Sequence, residues 1–358
     1  MSTNSGEFFA NRKKTSEVVK SPFKLNRPVV KNNSLADVGI EFELEGRGLP
    51  TSGHFGAIVG KTSKSFWERK TDGSLRDGYE YVLATPCKEN EISEMVQKFY
   101  DVLENNGVRL NLTNRCSTHV HLNVGGYKIN ELTSLLTMWY VFETALIEWC
   151  GEERKSNHFC LSHKETNQLS DVWFNYLTNG RRKFPRMKYS ALNVLTLDTF
   201  GSVEFRCGPA FENAENAINW IKFLREMQNT CKAEFSCPSH IAYALSERGP
   251  EEILRQICSN IGIPGFANQV LAANTGLDFE GECMRGFRSF QKNTLGFPWE
   301  EWSTEINKEY VPDPFEKTPK PSQRNRVTEL ATAVDAVRRN RFTTQPEELL
   351  RTITPETW

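Results

Sequence analysis

Three short segments alternate apolar residues with residues that bind cations or carry charge. The first reads Val38-Gly39-Ile40-Glu41-Phe42-Glu43-Leu44-Glu45. On a strand successive side chains point to opposite faces, so Val38, Ile40, Phe42 and Leu44 share one face and the three glutamates the other. Same-face neighbours stand roughly 7 Å apart, so aligned carboxylates repel unless water, a base or a cation lies between them. Mg²⁺ and Mn²⁺ favour such oxygen ligands. The segment Ser117-Thr118-His119-Val120-His121-Leu122-Asn123 repeats the pattern, with His119, His121 and Asn123 opposite Thr118, Val120 and Leu122. Ser202-Val203-Glu204-Phe205-Arg206 sets Glu204 and Arg206 opposite Val203 and Phe205. Taken singly, a Glu-x-Glu is usually a solvated strand face, a His-x-His two unrelated histidines, and a Glu-x-Arg an ion pair of small value. Agreement across three strands is the stronger signal, and it points to a divalent-metal site built from Glu41, Glu43, His119, His121 and Glu204.

The elements that must position these residues follow from periodicity. Alternating runs over 37–45, 78–84, 117–124, 192–197 and 202–206 predict strands. Apolar residues at helical spacing predict helices over 90–105, with Gly107 as its C-cap, and over 130–149 and 213–231. The strands alternate rather than running continuously apolar, which favours an antiparallel sheet with one face on helices and the other open to a cleft. The expected class is α+β. Residues 1–34 read as a flexible basic tail, 35–235 as the catalytic domain and 236–310 as a helical extension, with helices near 251–261 and 282–290. Pro312, Pro314, Pro319 and Pro321 mark 311–323 as an extended linker, and 324–358 as a C-terminal amphipathic helix and tail.

Composition limits the classes of function. With 358 residues, 38% hydrophobic, 25% charged and a net charge of −1, the chain has the make-up of a globular protein, not of a nucleic-acid coat or polybasic membrane protein. No run approaches the roughly 20 apolar residues of a membrane span, and the N-terminus has no apolar signal-peptide core. We therefore expect a cytoplasmic protein. The nine cysteines are dispersed, without a CxxC pair or a disulfide framework, and read as buried thiols. Glu143 is expected at a snorkelled edge of its helix, and residues 152–157 as an ordinary surface connection. His54, His158, His163 and His240 have no ligand-like neighbours in the sequence.

The motifs have a further property in their order. Gly39-x-Glu41-x-Glu43, Asp72-Gly73-Ser74, Glu80-Tyr81-Val82, Ser117-x-His119-Val120-His121, Lys188-Tyr189 with Asn193, and Val203-Glu204-Phe205-Arg206 follow one another in a sequence that resembles the amidoligase family. That family belongs with the carboxylate–amine ligases of the glutamine synthetase and glutamate–cysteine ligase fold. The resemblance covers about residues 36–230. It implies a curved antiparallel sheet binding ATP and two or three Mg²⁺ (or Mn²⁺) ions in a glutamine-synthetase-like catalytic domain. Glu41, Glu43, Glu80 and Glu204 would ligate metal, and His119 or His121 would complete a site or contact the nucleotide. Arg206 and Lys188 would meet phosphate, with Asn193 nearby; the family more often has arginine where Lys188 stands.

Forming an amide in water requires an activated carboxylate, and an acyl phosphate made with ATP serves this purpose. A carboxylate cluster with cationic neighbours suits it, and Glu45 or Asp72 could take the proton of the incoming amine. The expected substrates are a small-molecule amine and carboxylate, or a peptide, with nucleic acid as a remote option and no membrane partner. Two alternatives stand beside the ligase: a metal-dependent phosphoesterase or other hydrolase, and a non-catalytic nucleotide-binding protein.

Overall fold

The computed structural model describes residues 37–56, 65–127, 129–163, 189–197, 200–235 and 238–293. The tail 1–34, the linker 311–323, the helix 324–358 and Lys188 lie outside the described residues. The class is α+β, an open antiparallel sheet with seven helices among the described residues. The strands are β1 (Val38–Arg47), β2 (Trp67–Lys70), β3 (Gly78–Leu83), β4 (Arg109–Leu110), β5 (Ser117–Asn123), β6 (Leu192–Asn193) and β7 (Ser202–Pro209). They are ordered β2-β3-β1-β5-β7-β6, and β4 pairs with the end of β1.

The apolar parity of β1 is what places it at the centre. Val38, Ile40, Phe42 and Leu44 are buried on the core face, where α1 (Ile92–Asn105) lies against them. Phe42 stacks on Phe99 of that helix with ring centroids 4.6 Å apart, and on Trp67 at 5.2 Å. Each such fully buried side chain contributes about 1.5–3 kcal/mol of transfer free energy. The long, almost wholly buried α2 (Ile129–Cys150) covers β7 through Trp139 on Phe205, at 5.0 Å. Helix α3 (Ala214–Ala233) starts where Asn213 accepts a hydrogen bond from the Asn216 backbone, an N-cap. It approaches β7 closely at Gly208, where a Cβ would meet the Trp220 indole nitrogen at 2.6 Å. Helices α4 (Pro238–Glu247), α5 (Gly249–Asn260), α6 (Pro264–Ala273) and α7 (Phe279–Asn293) join the same apolar core through residues such as Ile241, Ile257, Phe266 and Phe287.

Several expectations needed correction. The 192–197 run is a strand only at Leu192–Asn193. Asn193 Oδ1 accepts the Leu195 backbone N–H and turns the chain into a short 3-10 helix, Leu195–Leu197. Strand β2, Trp-Glu-Arg-Lys, has the charged make-up of an edge strand and gave no apolar signal. Glu143 is fully buried rather than at an edge. It accepts hydrogen bonds from Trp139 Nε1 at 3.0 Å, Ser162 Oγ at 2.7 Å and the His163 backbone at 2.9 Å.

Candidate active site on the open face of the sheet

Strand pairing brings the ligating faces into one surface. Glu41 lies opposite His119, Glu43 opposite Ser117 and Gly39 opposite His121. On the other flank of β1, Glu43 faces Glu80. On β7, Glu204 faces His121 on one side and Asn193 on the other. The register of β5 and β7 shifts between Thr118 and Val120, so both Arg206 and Cys207 stand against His119. Such a bulge re-aims side chains: Cys207 is buried in the core and Arg206 stays on the open face beside Glu204.

Arg154 holds this bulge from below. Its guanidinium, 2% exposed, donates to the carbonyls of Cys207 at 3.0 Å, Arg206 at 2.7 Å and Cys116 at 3.2 Å. The segment around it, expected as a surface connection, therefore supplies a buried clamp. A charged stretch read alone looks solvated, and no pattern in the sequence shows three carbonyls waiting for donors.

Two groups of three side chains have the geometry of cation sites. Glu41, His121 and Glu204 each offer an atom within 4.8 Å of the others, and so do Glu43, Asp72 and Glu80. Two carboxylates at that separation repel by roughly 3 kcal/mol at the effective dielectric of a partly buried site. A cation between them would remove the cost.

His121 has further features of a ligand. Its Nδ1 lies 3.3 Å from Ser202 Oγ, while Nε2 is buried, 3.3 Å from Glu41 Oε1, without a well-formed hydrogen bond. With Nδ1 at the Ser202 hydroxyl, Nε2 faces Glu41, which draws the ring's proton there; a cation would take that proton's place between the two groups. His119, expected as a metal ligand, is placed differently. Its Nε2 meets Ser117 Oγ at 2.8 Å and stands 3.4 Å from Glu43, while its Nδ1 stands 3.3 Å from Glu41 and 3.5 Å from Glu204, so it bridges the two groups.

The electrostatics reflect this crowding. Burial alone would push the Glu41 carboxyl up, but His121 and His119 hold it well below the usual range. Burial likewise opposes ionisation of Glu204, yet His121 and Arg206 depress its pKa. Burial disfavours the charged form of His121, and the Glu41 and Glu204 charges outweigh it and raise the pKa. Glu80 has less compensation: burial and the Glu41 charge push it up to about 7. Perturbation by burial and specific charges together marks functional clusters.

The remaining expected residues fall into place around these. Asn193 donates to Glu204 Oε2 at 2.6 Å, and Arg206 donates to Oε1 of the same carboxylate. Asp72, read from sequence as a turn residue or proton acceptor, accepts the Ser74 backbone N–H and turns its carboxylate toward Glu43 and Glu80. Glu45 is 3% exposed and accepts from the Arg76 backbone and Thr113 Oγ1, which removes it as a free base.

No curated protein matches the chain. Residues 61–228 match the model of a family described as a putative amidoligase enzyme. The match includes Asp72, Glu80, His119, His121, Asn193, Glu204 and Arg206. It begins after β1, so Glu41 and Glu43 join the site through the pairing of β1 with β3 and β5. Through this segment the chain is similar to the putative amidoligase family, and the motif order and the shared ligating face agree with that similarity.

Proposed function

We propose that the protein is an ATP- and Mg²⁺-dependent carboxylate–amine ligase working through an acyl phosphate on a glutamine-synthetase-like scaffold. The observation that carries this reading is the pair of adjacent ligand groups, Glu41/His121/Glu204 and Glu43/Asp72/Glu80, on one open sheet face with Arg206 beside them. The donor set, carboxylate oxygens with one imidazole, suits Mg²⁺ or Mn²⁺. Bound there, such ions would screen the phosphate charge that otherwise repels an attacking carboxylate.

The protein's own groups have distinct tasks in this reading. Arg206 offers fixed donors to phosphate oxygens, with Glu204 and the bulge fixing its direction. His119 ties the two groups to each other and to Ser117. The carboxylate substrate attacks the γ-phosphorus of ATP and ADP leaves with the bonding pair. The amine nitrogen then forms the C–N bond as phosphate departs with the C–O electrons, and the nitrogen's proton passes to that phosphate. Lys188 would be a second phosphate contact, and the protein would act in the cytoplasm.

Two-cation carboxylate clusters also serve phosphoester hydrolysis, and ATP consumption separates the two readings. The experiment is to incubate the protein with Mg²⁺, ATP, carboxylates and a panel of amines and to measure ADP release. Amine-dependent ADP release supports the ligase; phosphoester turnover without ATP identifies a hydrolase. Absence of Mg²⁺-ATP binding by calorimetry overturns the ligase, and binding without turnover of any substrate supports the non-catalytic alternative.

A further inference from the structure

A cavity of about 250 Å³ adjoins the ligand cluster at the Gly39 and His121 end of the open face. This is near the lower end of the size of small-molecule pockets. Gly39 lines it with backbone and lets His121 approach across the strands: a Cβ there would stand 3.3 Å from His121 Cβ. Glycine inside a strand marks a place where another molecule can approach the backbone. Val82, Ala84 and Pro86 line the cavity with Phe200. Phe200 is 43% exposed, one of few large apolar side chains left open among the described residues, and its ring meets His121 edge-on.

The charge of the cavity has one sign for the most part. Asp37, Glu41 and Glu68 all line it, against Lys70 and the His121 imidazole. Asp37 is paired with Arg225 at 3.2 Å, and Glu41 belongs to the ligand cluster. Lys70 stands across from Glu80. Glu68 has no hydrogen-bond or ionic partner among the described residues, and its half-buried side chain lines the cavity. Glu68 and Glu41 flank Val82 from the two neighbouring strands, a separation of roughly 10 Å across two strand spacings.

Resting on the ligase reading, we propose that this cavity is the acceptor-amine subsite and that the amine it takes is a short aliphatic diamine. The methylene chain lies over Gly39 against Val82, Ala84 and Phe200. The outer ammonium pairs with Glu68, and the inner nitrogen reaches the Glu41 end, where the activated carboxyl is attacked. Beyond the ligand cluster this cavity offers a nucleotide's phosphates Asp37 and Glu68 rather than a cation suited to them. Arg206, the cation suited to phosphate, stands toward the other end of the cluster, against His119.

The test compares binding of 1,4-diaminobutane, 1,5-diaminopentane and n-pentylamine by ligand-observed NMR, in the wild type, Glu68→Gln and Ala84→Phe. The diamines should bind about tenfold more tightly than the monoamine, as one charge-assisted contact supplies. Glu68→Gln should erase that advantage while leaving monoamine and Mg²⁺-ATP binding in place. Ala84→Phe, which fills the cavity, should weaken both kinds of amine and spare the nucleotide. Equal diamine and monoamine affinities in the wild type, an undiminished diamine advantage in Glu68→Gln, or loss of nucleotide binding in Ala84→Phe overturns the assignment. Because these measurements need no turnover, they separate the two claims. Selective diamine binding without ADP release would sink the ligase and keep the pocket; amine-dependent ADP release with an unaltered Glu68→Gln would do the reverse.

Discussion

The two faces of β1 are built from alternate residues of one strand and obey opposite rules. On the core face, Phe42 packs with Phe99 and Trp67, and each contact lowers the free energy of the fold. On the open face, Glu41 and Glu43 stand among Glu80, Glu204 and Asp72, where the charges of Glu41 and Glu204 depend on His121 and Arg206, and Glu80 is pushed up by burial and by Glu41. A strand selected for folding alone would not carry the second face. The difference teaches that stability and function can be separated along this strand by residue parity.

Substitution can break that separation if it is false. The largest effect on folding is expected for Phe42→Ala, which should cost about 3–5 kcal/mol in denaturant unfolding because it opens a cavity among three aromatic rings. A loss under 1 kcal/mol would show that this face is not the core's centre. Arg154→Met should cost about 3 kcal/mol, since three buried carbonyls lose a charged donor, and it should lower ADP release as well because the bulge no longer directs Arg206. Normal activity in that variant would disconnect the clamp from the site. Glu204→Gln should reduce ADP release by about a hundredfold or more, some 2.7 kcal/mol of barrier. Its unfolding midpoint should fall as well, since the buried Arg206 loses its carboxylate partner; full ADP release would remove Glu204 from the site.

The smallest effect concerns pH. Burial holds the His163 pKa below its ordinary value, against the Glu143 charge. Its Nε2 donates to the Leu192 carbonyl at 2.7 Å, so the ring is neutral in the fold. A depressed folded-state value means that this contribution is complete above the ordinary histidine pKa of about 6.5 and is lost as pH falls toward the folded value. Stability should therefore decline faster below pH 6.5 in the wild type than in His163→Gln, measured by unfolding midpoints. Parallel slopes would assign the decline to other groups.

How much of this was legible beforehand depended on range. Parity is a local property, so the two faces of β1, β5 and β7 could be read from the residues themselves. The neighbours of those faces are set by pairing. That Glu41 stands opposite His119, and that His121 rather than His119 groups with Glu41 and Glu204, follows from register, which alternation alone leaves open. Asp72 looked like a turn residue because its Asp-Gly context is that of a turn, and it is one; the same turn aims its carboxylate at Glu43 and Glu80. Glu143 and Arg154 were misread for a related reason. Their partners, backbone groups at His163, Cys116, Arg206 and Cys207, are distant in sequence and carry no residue-type signature.

The cysteines give the fold an internal clock. All eight among the described residues are buried and outside any disulfide, and burial pushes the thiols of Cys160 up to about 11 and Cys87 up to about 12. Since only the thiolate reacts, a thiol reagent must wait for the structure to open. The rate at which each cysteine is labelled then reports the opening of its own layer: Cys87 beside β1, Cys207 under the bulge, Cys258 and Cys283 in the helices. The native sequence can thus time its own unfolding, region by region, without an introduced probe.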